Sequence, residues 1–438
     1  MADRPDSSPR PGDSGKLPAH RLIHDWNARG RSFDFAAARI ELFDQTLRDG
    51  LQAPSVQDPS PEQKRELLHL MVALGIDALD IGLPAAGARM RQQTRALAAE
   101  IADRHLPIAA SCAARARVED IEPILQIGQS TGCPVEVAVF LGASELRHFV
   151  EGWNLTGLVV DVERAVRFAA REGHPVMFVA EDATRAHPET LHLLLAAAVE
   201  AGATRICLAD TAGHALPSGV RALIEFVRHE LIHAGARSVG IDWHGHRDRG
   251  LGLANCLSAI EAGANRIHAT ALGIGERAGN AEMDLLLLNL HLLGAERPGL
   301  ARLAEYCAMV SRATGVPLPD NYPIVGSDVF RTGSGTHAAA ILKAREKGRP
   351  ELADLVYSSV PAALFGREQQ IAISAHSGSS NVRAWLLENG YDPEDEQAVS
   401  AILSVAKESA RRLTDLECHR LAVSAGTRIA AGAADVSH

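Results

Sequence analysis

The chain has 438 residues, 46% of them hydrophobic and 22% charged, with a formal net charge of −10. That length supports a large core or more than one domain, and the acidic balance argues against nucleic acid, whose phosphates attract basic surfaces; an acidic substrate would need a local basic pocket. No apolar run reaches bilayer-spanning length, no signal-peptide core opens the chain, and the six cysteines are scattered without a CxxC pair, so a soluble cytoplasmic protein with no membrane partner is expected.

Residues 1–38 open on "MADRPDSSPRPGDSGKLPAH", rich in Pro, Ser, Gly and Asp, and are expected to be disordered or extended. From residue 39 apolar strand-like runs recur: "RIELFDQT", "GIDALDIGLP", "LPIAASC", "PVEVAVFLG", "PVMFVAED", "TRICLADT", "SVGIDWHGH" and "NRIHATALGIG". Between them lie stretches with helical periodicity, such as "SPEQKRELLHLMVALG", several closing on glycine. The repeat of roughly 28–40 residues is the size of a βα unit, and eight in succession predict a (β/α)8 TIM barrel over 39–295. An open Rossmann-type sheet is the rival, but no GxGxxG follows the first strand. Residues 296–438 read as a linker and a small, mainly helical C-terminal appendage, with "TRIAAGAADVSH" as a frayed tail.

Polar residues gather at one end of the predicted strands: Arg48 and Asp49 after the first, Glu181 after the fifth, Thr211 after the sixth, His244 and His246 at the seventh, Glu276 and Asn280 after the eighth. In a barrel these ends converge on one mouth, where such folds place their chemistry. The strand period of two puts His244 and His246 on one side. An isolated HxH is as readily a solvated turn as a ligand pair. With Asp49 it becomes two imidazoles and one carboxylate, a donor set that leaves open positions on a divalent ion. Asn280 in "GERAGN" adds a neutral oxygen, or belongs to a glycine-rich turn and nothing more. Arg48 either offsets an alkoxide forming beside that ion or is a salt-bridging residue of the barrel rim.

"FDQTLRDGLQ" resembles the D-x-T-L-R-D-G signature of metal-dependent barrel enzymes that make or break carbon–carbon bonds next to thioesters or 2-oxo acids, and "HGHRDRG…GIGERAGN" resembles their second signature. The resemblance implies that Asp49, His244, His246 and Asn280 hold Mg²⁺, Mn²⁺ or Zn²⁺ and that Arg48 is the catalytic arginine. "SGTHAAAILK" and "YSSVPAALFGREQQIAISAHSGSSNVRAWL" are similar to segments of the 2-isopropylmalate and homocitrate synthases. By that resemblance His337 and Tyr357 reach the active site of a partner chain, which implies a homodimer with shared sites. Glu181 and Thr211 match synthase positions near the substrates, and Arg115 falls where the family has an arginine that contacts a carboxylate or a CoA phosphate.

Three features depart from the synthase pattern: Leu51 replaces the acid usual after R-D-G, "FRTGSGTH" lacks the usual His-Glu, and "DIGLPAAG" offers no base for a distal carboxylate. The chain also leaves no room for a leucine-sensing C-terminal domain. The expected activity is an acyltransferase condensing acetyl-CoA with a 2-oxo acid, 2-oxoisovalerate first, giving 2-isopropylmalate for leucine biosynthesis. Homocitrate or another 2-alkylmalate of secondary metabolism comes next, then an HMG-CoA-lyase-like cleavage suggested by "RDGLQ", then a non-catalytic CoA- or metal-binding paralogue.

Overall fold

Eight parallel strands close into a barrel in chain order: β1 Glu41–Asp44, β2 Ala78–Asp80, β3 Ala109–Arg115, β4 Val135–Gly142, β5 Val176–Glu181, β6 Arg205–Asp210, β7 Gly240–Gly245 and β8 Arg266–Ala269. Seven fall inside the runs read above, and β3 begins inside "LPIAASC" and continues three residues past it, to Arg115. This computed structural model describes residues 18–30, 33–295 and 298–427. Most of the opening segment and of the tail expected to fray lies outside them; within the former, Asn27–Gly30 forms one helical turn.

Local chemistry sets the helices between the strands. Ser60 and Gln63 form a reciprocal capping box at the start of Pro61–Ala73, with proline at the first helical position, and Leu67, Leu68 and Met71 turn into the core. Helix Pro188–Ala201 stops where Gly202 takes φ +111°, a backbone few other residues adopt. With helices outside and side chains inside, β4 and β7 are buried along nearly their whole length, as parallel strands must be.

The bore is filled. Phe43, Ala78, Ala138, Met177 and Cys207, from five strands, pack into one cluster. Beside them Arg266, 4% exposed, reaches Glu136 at 2.8 Å and Asp242 at 2.5 Å. His268 lies 4.3 Å from Phe43, ring centre to ring centre, and donates from Nε2 to Asp242 at 2.9 Å. Burial pushes His268 down to about 4, so the imidazole is neutral and the carboxylate keeps its charge.

The chain divides into two compact units, Phe33–Leu318 and, with the N-terminal residues to Ser32, Pro319–His438. Helix Leu303–Thr314 clusters with the barrel, and its Tyr306 is fully buried and donates to Asp44. The second unit pairs Arg331–Thr332 with Gln370–Ile371 and is otherwise mainly helical: Gly335–Glu346, Pro350–Leu355, Ser379–Glu388, Glu396–Glu408 and Asp415–Ser424. Val382, Trp385, Leu386 and Ile402 anchor its core.

Candidate active site at the barrel mouth

The chain leaving β1 is folded back tightly. Thr46 N donates to Asp44 Oδ1 at 2.8 Å, Thr46 Oγ1 accepts from Ala271 N at 2.8 Å, and Gly50 N closes onto Gln45 O at 3.0 Å. Gly50 is held where a Cβ would meet Ile274 at 2.9 Å. The turn brings Asp49 against the residues that end β7. Asp49 Oδ2 lies 3.3 Å from His244 Nε2 and 3.8 Å from His246 Nε2. One donor atom from each of the three lies within 4.8 Å of the others.

Two arginines stitch the loops that carry these groups. Arg247, after β7, donates to Ala278 O at 2.8 Å and pairs with Glu282; Arg277, after β8, donates to Asp248 at 2.9 Å. Between them His246 and Asn280 form a bridge. The glycines of "GIGERAGN" do serve a turn, since a Cβ on Gly279 would fall 1.9 Å from Gly273 O. That turn also delivers Asn280, whose Nδ2 donates to Ile274 O at 3.1 Å.

Electrostatics suit a cation. Burial pushes His244 well below the usual imidazole range and lowers His246 too, leaving both neutral with lone pairs to offer. Burial also opposes charge on Asp49, but the Arg48 guanidinium and a hydrogen bond from Asn280 hold the carboxyl below its ordinary range. His246 Nδ1 and Asn280 Oδ1 are buried without a hydrogen-bond partner among the described residues. Two neutral imidazoles, an ionised carboxylate and an orphaned amide oxygen fit a divalent metal.

Arg48 points its Nε at Asp80 Oδ2, 2.8 Å away, and its Nη1 lies 3.9 Å from Asp49. Asp80, at the end of β2, went unremarked in the sequence; an acid closing a barrel strand was the available signal. Asp44 was missed likewise, whereas Asp182 stands with Glu181 among the polar residues that follow the fifth strand. Asp182 takes φ +60°, accepts from Ser144 at 2.6 Å, and is gripped by Arg185 through both oxygens.

The other expected site residues divide. Glu181, at the end of β5, is raised by burial, against an Arg147 guanidinium 3.1 Å away. Thr211 Oγ1 accepts from Asp182 N at 2.9 Å, a scaffolding bond. Arg115 is exposed and pairs with Asp120 through two nitrogens, at 2.5 and 2.8 Å. His337 and Tyr357 belong to the second unit, where both are exposed and stack with ring centres 3.8 Å apart.

The HMGL-like family matches residues 39–309. The chain belongs to that family. Among its HMGL-like relatives, homocitrate synthase AksA of Methanopyrus kandleri is 34% identical over 82% of this chain and 84% of its own length. The 2-isopropylmalate synthase of Shouchella clausii is 33% identical over 84% of this chain and 70% of its own length. The hydroxymethylglutaryl-CoA lyase structure from Pseudomonas aeruginosa superposes with a TM-score of 0.54 at 19% identity, covering 64% of this chain and 94% of that one. The HMG-CoA lyase of Brucella melitensis gives 0.52 at 19%, covering 63% and 99%. Both share the HMGL-like barrel fold.

Proposed function

We propose that this protein condenses acetyl-CoA with a 2-oxo acid and hydrolyses the resulting thioester, releasing CoA and a 2-alkylmalate. The observation that carries the reading is the meeting of Asp49, His244 and His246 beside Arg48 at the mouth, in a chain whose relatives bear synthase names over most of its length. Asp49, His244, His246 and Asn280 would hold a divalent metal there, which would supply a Lewis-acidic centre to polarise the acceptor's ketone.

The chain's own groups do the rest. Asp49, His244, His246 and Asn280 fix where the acceptor sits. Arg48, steered by Asp80, donates hydrogen bonds to the ketone oxygen as it turns into an alkoxide. Glu181, whose raised pKa suits proton exchange, works with His337 and Tyr357 of a partner chain to take a proton from the acetyl methyl group. The carbanion attacks the ketone carbon, the alkoxide takes up a proton, and water then cleaves the thioester to a carboxylate and the CoA thiol. Thr211 and Arg115 serve substrate binding, Thr211 by shaping the loop and Arg115 once it exchanges Asp120 for a ligand anion. The assembly is a homodimer with shared sites, working in the cytoplasm.

Relatives named for two different acceptors match almost equally, so the substrate assignment rests on the acid the pocket takes; we place 2-oxoisovalerate first and leucine biosynthesis as the pathway. Homocitrate or another 2-alkylmalate comes next, and Leu51 in "RDGLQ" keeps the lyase as the reading after that. Thiol release from acetyl-CoA is measured with a panel of 2-oxo acids, with chelator and with Mg²⁺, Mn²⁺ or Zn²⁺ restored. Release with 2-oxoisovalerate, abolished by chelation, is expected. Release with another acid moves the pathway, and cleavage of hydroxymethylglutaryl-CoA with no condensation overturns the synthase reading.

A further inference from the structure

Away from the mouth residues, a cavity of about 700 Å³ opens between the loop at Gln57–Ser60, the first turns of helices Pro61–Ala73 and Ala88–Asp103, and the last turn of Leu303–Thr314. None of Arg48, Asp49, His244, His246 or Asn280 lines it. Behind two of its lining residues sits a lysine, Lys64, only 2% exposed, whose Nζ lies 2.6 Å from Asp58 Oδ1 and 2.9 Å from Gln93 Oε1. Arg89 takes the other oxygen of the same carboxylate at 2.5 Å. One acid thus answers two cations.

Two more arginines face the space. Arg65 reaches only Glu62, at 3.3 Å, across an exposed helical turn. Arg312 contacts Met309 Sδ at 3.5 Å and has no carboxylate within ion-pair distance among the described residues. Three lining arginines, Arg65, Arg89 and Arg312, against one lining acid, Asp58, leave a local surplus of positive charge in a chain whose formal net charge is −10. Gln57 and Gln92 add amide donors to the walls. An acidic protein attracts anions only through such a local concentration of charge. Guanidinium groups converging on a concave space match the planar, multiple acceptors of a phosphate ester, and the volume is that of a small-molecule site.

We propose that this cavity binds an organic phosphate. A phosphate ester bridges Arg312 and Arg89, with Asp58, itself anchored by the buried Lys64, holding Arg89 in place. The ligand has two natural sources, the nucleotide end of a CoA thioester or a free nucleotide.

The test is calorimetric titration of the full chain with adenosine 3′,5′-bisphosphate and, separately, with inorganic pyrophosphate. The Arg89→Ala/Arg312→Ala double variant follows, with Arg312→Glu as a second variant that disturbs no ion pair. Both probes are expected to bind the wild type and to weaken about tenfold or more in each variant. Failure of both to bind the wild type, or equal binding by the variants, overturns the site. The source is read from KM: a rise for acetyl-CoA but not for acetyl-pantetheine in the variants assigns the phosphate to the thioester, and unchanged values assign it to a free nucleotide. Should the chain turn over no acetyl-CoA, the titrations alone decide the cavity.

Discussion

Arg48 shows how far one side chain depends on another that the motif does not include. Its Nε is committed to Asp80, so its remaining N–H groups are aimed rather than free. Arg48→Lys keeps the charge and loses the fork, and Asp80→Asn keeps the arginine and loosens its aim. Both are expected to lower kcat about 10²-fold while metal affinity, followed by titration, stays near wild type. Asp44 makes a different prediction. Burial raises its pKa from 3.8 to about 6, against hydrogen bonds from Tyr306 and Thr46. A carboxyl raised on folding stabilises the fold below its unfolded value and loses that contribution as pH climbs through the folded value. Relative to Asp44→Asn, the wild type should therefore lose of order 3 kcal/mol between pH 4 and pH 7, read from urea denaturation at both. At this scale the motif residues Asp49, His244 and His246 were legible, because ligation restricts residue type and spacing. Asp80 and Tyr306 were not: their contacts span 32 and 262 positions, which no local pattern encodes.

Elements were the most legible layer. A parallel barrel buries strands on both faces and helices on one, so apolar runs and helical periodicity alternate visibly, and all eight runs became strands. Loops were harder. "GERAGN" reads equally as a turn or a ligand carrier; it forms the turn, and Arg247 and Arg277 lock it to the loop after β7, which sets Asn280 beside His246. Gly279 tests that dual role. At φ +94°, with a Cβ 1.9 Å from Gly273 O, alanine forces the turn open. Gly279→Ala is expected to cost about 1–3 kcal/mol of stability and to weaken metal binding as Asn280 and His246 part, measured by thermal melting and metal titration. Helix Leu303–Thr314 lies in a stretch that reads as a linker with helix, and a sequence does not show which core an amphipathic helix joins; Tyr306 answers by reaching Asp44.

For the molecule as a whole, a metal held by Asp49, His244 and His246 would be coupled to folding. An ion that binds only the folded chain should raise the melting temperature, with about 2.7 kcal/mol of stabilisation at a hundredfold excess over Kd. His244→Ala is expected to abolish the rise, and scanning calorimetry with each of three ions ranks their fit. The filled bore has a consequence for traffic. Beneath His244 lie Asp242, Arg266 and His268, each all but sealed from solvent, so the barrel is a shaft open at one end. Whatever settles against Asp49 sits deepest and is covered by whatever follows it. The molecule that enters first is the last able to leave.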